Sequence, residues 1–226
     1  MQTFWLEQSL AELPAYDNWL SGKEAALLAR MRFPKRRSDC RLGRWTAKQA
    51  AAAYLNLPTE PQALQKIEVR PAPSGAPELF VDNRPAPVTI SITHRAGFAA
   101  CAMATNGAAL GCDIEIIEPR GDTFVADYFT AQEQKFIAHT SEEDCPRLVT
   151  LLWSAKESAL KALRQGLRVD TRDLAVTLQT QAYCSELIGW HPLQVRCAAG
   201  DTLDGWWQTA GGLVRTLVAA PPPLAP

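Results

Sequence analysis

Three short stretches of this 226-residue sequence put reactive side chains at spacings that could do chemistry. The first is Gly111-Cys112-Asp113-Ile114-Glu115. In an extended strand, residues two apart share a face, so Asp113 and Glu115 project together while Cys112, Ile114 and Ile116 take the apolar side. Neighbouring carboxylates repel; they are tolerated where a divalent cation or basic groups stand between them, or where the face is open to water. The second stretch is Trp153-Ser154-Ala155-Lys156-Glu157-Ser158-Ala159-Leu160-Lys161. On a helix Trp153, Glu157 and Lys161 recur every four residues along one stripe. An exposed Glu157–Lys161 pair is the plain reading, worth only about 0.3–0.5 kcal/mol. Trp153 on the same stripe argues that it is partly covered. The third is Ser91-Ile92-Thr93-His94, which puts a histidine at a strand end beside a turn, where most histidines are structural or surface residues.

The elements that must position these residues follow from periodicity and turn chemistry. Gly22 to Met31 reads as a helix. Pro34 suits the first turn of a second one, Ala47 to Leu55 is strongly helix-forming, and Pro58 and Pro61 end it. Arg37, Arg41, Arg44 and Lys48 follow i, i+4, i+7, i+11 spacing and share one face, either a solvated one or a phosphate-binding stripe. Ile67 to Val69 predicts a short strand, followed by proline-marked loops. Val88 to Thr93 and Phe98 to Ala104 predict strands joined by a turn at Arg95-Ala96-Gly97. Asn106-Gly107 predicts a tight turn into a third strand, Ala108 to Ile117, giving an antiparallel meander. Thr130-Ala-Gln-Glu133 is a capping box before a helix over Ala131 to Ile137, and Leu148 to Leu163 is the strongest helical segment. Strands return in the segment VDTRDLAV, and Trp206, Trp207 and Leu213 to Ala219 predict a last hairpin about Gly211-Gly212. Pro119 to Asp122 breaks the pattern. The expected division is therefore residues 1–118, residues 119–220, and a disordered tail, 221–226. No repeat between the halves is evident.

Composition narrows the classes. Basic and acidic residues nearly cancel, 23 against 24, so nothing pulls the chain as a whole toward nucleic acid or an anionic membrane, and any anion site must be local. Six cysteines form no CxxC pair and no histidine cluster accompanies them, which argues against zinc and for reduced thiols. Hydrophobic residues make up 47%, enough for a real core in one large domain or in two of about 110 residues. No apolar run approaches the roughly 20 residues of a membrane span, and the N-terminus lacks a signal pattern; a reducing cytoplasm follows by elimination.

Taken in order, Ser91-Ile92-Thr93-His94, then Gly-x-Asp113-x-Glu115, then Trp153-Ser-x-Lys156-Glu157-Ser-x-x-Lys161 form a pattern. It resembles the 4′-phosphopantetheinyl transferase superfamily, specifically its long surfactin-synthetase-activating (Sfp) type, from about Arg36 to about Arg168. The resemblance implies an α+β monomer of two similar halves, a pseudo-dimer with antiparallel sheets and the active site in the cleft between them. It implies Mg²⁺ held by Asp113, Glu115 and Glu157. Coenzyme A would be held by Lys161, Lys156, Thr93, His94 and the Arg44 of Gly43-Arg44, with Arg36 and Arg70 as weaker matches. The implied activity is transfer of 4′-phosphopantetheine from coenzyme A to a serine of an acyl or peptidyl carrier protein, with Glu157, Lys161 and Asp113 as the catalytic set. Where relatives carry a basic residue between glycine and proline, this chain has Gly75-Ala76-Pro77, which leaves Arg70 or Arg95 to compensate. The carrier is expected to dock near Phe124 to Phe129 and Arg147. The alternatives are a non-catalytic module binding carrier protein or coenzyme A, and a Mg²⁺-dependent pyrophosphate hydrolase.

Overall fold

The computed structural model describes residues 1–165, 169–179 and 189–226. The chain divides into two compact units, Gln2–Ala108 and Ala109–Pro226, the latter with Met1. In the first, β1 (Phe4–Ser9) leads to α1 (Gly22–Ala29), α2 (Pro34–Leu55) and the short α3 (Pro61–Leu64). Then come β2 (Ile67–Pro71), β3 (Pro77–Val81), β4 (Arg84–Pro85), β5 (Val88–Arg95) and β6 (Phe98–Thr105). Pro34 occupies the first turn of α2, and Asn56, in the left-handed region at φ 53°, closes it. Strands pair in the order β1-β6-β5 and β2-β3-β4, with β3 packed beside β5. Helix α2 covers β1 and β6, and Trp19, Ala47, Ala50, Ala51, Ile67 and Met103 belong to the core.

The second unit begins with β7 (Ala109–Ile116) and continues through α4 (Asp122–Tyr128), α5 (Ala131–Ala138) and α6 (Cys145–Ala162). It ends with β8 (Leu174–Leu178), β9 (His191–Cys197), β10 (Thr202–Ala210) and β11 (Leu213–Ala220). Its sheet is antiparallel, in the order β7-β11-β10-β9-β8, and α6 packs across β7 and β11. Leu148, Leu151, Ala155, Val195, Trp207 and Val218 fill its core. A Cβ at Gly111 would lie 1.8 Å from Ser158 O, so glycine there lets the helix backbone rest directly on β7. The fold is thus α+β with antiparallel sheets. Strand for strand, β1-β6-β5 with β3 and β2 repeats β7-β11-β10 with β9 and β8. Among the described residues no helix is long and apolar enough to cross a membrane.

Three expectations are corrected. Gly107, at φ 85°, does turn the chain, but β7 leaves the expected meander: β6 pairs with β1 and β5, and β7 pairs with β11. The boundary therefore falls after Ala108 rather than at 118, and the strand of Asp113 belongs to the second unit. The tail 221–226 has no regular structure but is tied down. The Met1 amine donates to Pro222 O at 2.6 Å, Leu224 N to Met1 O at 2.8 Å, and Trp206 Nε1 to Pro223 O at 3.0 Å. Cys184 lies outside the described residues, and within VDTRDLAV the strand begins only at Leu174, after a single 3-10 turn over Thr171–Asp173.

Candidate functional site

In the second unit, β7 and α6 bring the predicted acids together. Asp113 is 5% exposed, and its carboxylate is held at both oxygens: Lys161 Nζ donates to Oδ1 at 2.8 Å and Ser154 Oγ to Oδ2 at 3.0 Å. Lys161 also donates to Cys112 O at 2.9 Å. The lysine thus pairs across to the strand rather than along its own helix with Glu157. Burial, and then the negative charge of Asp113 and of Glu115, hold the Glu157 carboxyl above the ordinary glutamate range, with Lys161 pulling the other way. Burial alone would lower the Lys161 pKa, but Asp113 and the other negative groups outweigh it and raise it. The helix carboxylate of Glu157 therefore feels both strand carboxylates in a half-buried setting. Arg120 reaches Glu118 at 2.8 Å and stands 4.0 Å from Glu115.

Crowded hard oxygen donors of this kind suit a divalent cation, whose charge would relieve the repulsion felt by Glu157. Asp113, Glu115 and Glu157 are the residues that would hold it. Among the described residues no three acids, histidines or cysteines are drawn close enough to form a metal-binding group as they stand. The Lys161 ammonium supplies a positive charge at Asp113.

The first unit has an open pocket of about 320 Å³ whose lining includes Arg36, Asp39, Cys40, Arg44, Pro77 and His94. Arg44 donates to Cys40 Sγ and lies 3.7 Å from Glu24; His94 is half exposed, 3.9 Å from Asp39. Burial pushes the Cys40 thiol up, against the pull of Arg44 and Arg36. Two guanidinium groups and an imidazole at one opening suit a phosphate.

Each unit also contains the same lysine cage. In the first, Lys48 is fully buried; its Nζ lies 2.6 Å from Glu24 and donates to Trp19 O at 3.0 Å and Leu64 O at 2.9 Å. In the second, Lys156 is fully buried; its Nζ lies 2.7 Å from Glu133 and donates to Tyr128 O at 3.1 Å and Thr171 O at 2.9 Å. Both glutamates close capping boxes, Ser21 with Glu24 and Thr130 with Glu133. Both also accept a strand N–H, from Val69 and from Val176. The halves are therefore repeats, marked by Trp45-Thr46-Ala47-Lys48 and Trp153-Ser154-Ala155-Lys156.

Residues 109–199 match the family model of the 4′-phosphopantetheinyl transferase superfamily. The chain is 24% identical over 212 residues to the 4′-phosphopantetheinyl transferase HetI of Nostoc sp., covering 90% of this chain and 86% of that protein. Residues 109–199 thus carry the match to the 4′-phosphopantetheinyl transferase superfamily, and over most of its length the chain is similar to a member of it. A putative 4′-phosphopantetheinyl transferase of Synechocystis sp., slr0495, is 27% identical over 158 residues, 69% of this chain and 61% of that protein. Among solved structures, Helicobacter pylori holo-[acyl-carrier-protein] synthase in complex with coenzyme A aligns with 46% of this chain and all of its own, at 18% identity and a TM-score of 0.37.

Set against what the transferase superfamily implied, the site residues sort clearly. Asp113, Glu115, Glu157 and Lys161 gather in the second unit; Arg36, Arg44 and His94 gather at one pocket in the first. Lys156 does not face a ligand: its three donors are spent on Glu133 and two carbonyls. Arg70 is not part of the arginine pocket. It pairs with Glu68, donates to Asn83 at 2.7 Å and lies over the Phe80 ring. Thr93 is buried on the face of β5 opposite Ile92 and His94, which line the pocket. The phosphate stripe of α2 dissolves likewise. Arg37 donates to Met31 O, Arg41 binds Asp17 and Pro14 O, and Lys48 is caged. Thr216 was missed in the sequence. It faces Asp113 across the β7–β11 pair and contacts Ser154 and Ser158, which only the strand register reveals.

Proposed function

We propose that this chain transfers the 4′-phosphopantetheine arm of coenzyme A to a serine of an acyl or peptidyl carrier protein, releasing 3′,5′-ADP. The observation that carries this reading is the convergence of Asp113, Glu157 and Lys161 between β7 and α6, in a chain whose relatives are 4′-phosphopantetheinyl transferases. Coenzyme A presents a pyrophosphate and a 3′-phosphate, so its site must supply several positive charges. In the second unit Lys161 is the group assigned to the pyrophosphate; in the first unit the pocket of Arg36, Arg44 and His94 by itself suits a phosphate. Mg²⁺, held by Asp113, Glu115 and Glu157, would supply charge compensation for the pyrophosphate.

The acceptor serine hydroxyl attacks the phosphorus that bears the pantetheine arm. The P–O bond to the nucleotide phosphate breaks, and the electron pair leaves with 3′,5′-ADP. The serine proton goes to Glu157, directly or through a water molecule. Lys161 neutralises charge that builds on the phosphate oxygens. No covalent enzyme intermediate is needed.

The test uses coenzyme A radiolabelled in its pantetheine arm, an apo carrier protein and Mg²⁺. Label on the carrier with release of 3′,5′-ADP is the expected result. Free labelled 4′-phosphopantetheine beside an unlabelled carrier would mark a hydrolase and contradict it.

A further inference from the structure

Behind Asp113, away from Lys161, three hydroxyl side chains are sealed in the second unit. Ser154, Ser158 and Thr216 are each 0% exposed. Ser158 Oγ lies 2.7 Å from Thr216 Oγ1, and Thr216 Oγ1 lies 2.9 Å from Ser154 Oγ. Ser154 Oγ in turn reaches Asp113 Oδ2 at 3.0 Å. A hydroxyl has one hydrogen, and an ionised carboxylate only accepts. The carboxylate end therefore sets the direction. Ser154 gives its hydrogen to Asp113. Thr216 gives its own toward Ser154, whose Oγ and O stand 2.9 Å and 3.0 Å away. Ser158 gives its hydrogen to Thr216, whose O is a second acceptor at 3.3 Å. Each hydroxyl has one hydrogen to give, and for Thr216 and Ser158 it is shared between the next hydroxyl and the carbonyl beside it.

The first unit serves as an internal control. Aligning the β10–β11 and β5–β6 hairpins on their turns matches Thr216 with Cys101, and the strand registers then match Asp113 with Leu6. The repeated helix motif matches Ser154 with Thr46 and Ser158 with Ala50. Where the acid is absent the chain of hydroxyls is absent too, and Thr46 Oγ1 turns back onto its own helix, to Leu42 O at 3.0 Å. The same scaffold packs without this network, so packing alone does not require it.

We propose that Ser158, Thr216 and Ser154 form a one-way hydroxyl chain that positions the Asp113 carboxylate, fixing Oδ2 inward and leaving Oδ1 to Lys161, in the carboxylate that would help hold a divalent cation. These are positioning residues, acting through Asp113, and the proposal rests on the transferase reading above. The variants are Thr216→Val, which keeps the shape and removes the hydroxyl, and Thr216→Ser, which restores it. Two readouts apply to the full chain: Mn²⁺ binding followed by electron paramagnetic resonance, and kcat and KM for coenzyme A in carrier modification. Thr216→Val is expected to weaken Mn²⁺ binding and lower kcat by about tenfold to a hundredfold. KM for coenzyme A should stay near the wild-type value, and Thr216→Ser should recover both losses. Equal losses in the valine and serine variants, or wild-type Mn²⁺ affinity in Thr216→Val, would overturn the proposal while leaving the transferase reading intact. Should Thr216→Val not fold, Ser158→Ala carries the same test by removing the head of the chain, and unchanged Mn²⁺ affinity there overturns it. A wild-type chain that neither binds Mn²⁺ nor modifies a carrier would overturn the transferase reading along with it.

Discussion

Lys48 and Lys156 sit in matching cages, yet one residue further along the two helices carry Gln49 and Glu157. Four residues beyond, Ala53 stands where the second unit has Lys161, and on the edge strands Leu6 and Gln8 stand where it has Asp113 and Glu115. Both units build the lysine cage and the capping box. Only one adds carboxylates, an outward lysine and a buried hydroxyl chain. Since the first unit packs with Leu6 and Cys101 at the matched positions, a buried aspartate and threonine are not demands of the fold. Groups that are costly to bury and absent from a structural twin are the ones the proposed function draws on.

The comparison can be broken at its largest effect first. Asp113→Asn and Glu157→Gln should each lower carrier modification about a hundredfold or more in a steady-state assay, while circular dichroism stays that of a folded chain. Near-wild-type turnover in either would remove the distinction between the units. The cages should instead behave alike. Lys156→Met and Lys48→Met each strand a buried glutamate and should cost about 3–5 kcal/mol in denaturant unfolding. A large loss in one and none in the other would break the repeat. Gly111→Ala should be costly as well, because the new methyl would meet the Ser158 carbonyl; a wild-type unfolding midpoint would show that α6 does not rest on β7 as described.

Much of this was legible in the sequence, though unevenly. The capping box of α5, the proline start of α2 and the β10–β11 hairpin follow from local rules, and the structure contains all three. The acid strand and the Glu157 helix were found because their period matches their element. The repeat stayed hidden because its signature is two short motifs in each half, a capping glutamate and a distant lysine, joined only in space. Lys156 was misassigned for the same reason: its neighbours on α6 are site residues, but a helix turns about 100° per residue, so it faces the cage. The partner strand of β7 could not be read from Asn106-Gly107, because a turn does not say which sheet receives the strand that follows it.

Smaller effects sharpen the contrast. A carboxyl whose folded pKa is raised leaves the folded chain holding more protons than the unfolded one above the ordinary glutamate value of about 4.3, so stability falls as pH rises through that window. In EDTA, Glu157→Gln should therefore melt above the wild type at neutral pH, with the two converging below about pH 4. The opposite order in thermal scans would contradict the crowding of acids. The matched change in the first unit, Gln49→Ala, should shift stability by no more than about 0.5 kcal/mol and leave carrier modification unchanged.

The most direct measurement is the intact mass of an apo carrier protein after incubation with coenzyme A and Mg²⁺, with wild-type chain in one arm and Glu157→Gln in the other. The expected result is a phosphopantetheine mass added to the carrier by the wild type and none by the variant. A carrier left unmodified by the wild type, or modified equally by both, would contradict the role given to the acids of β7 and α6.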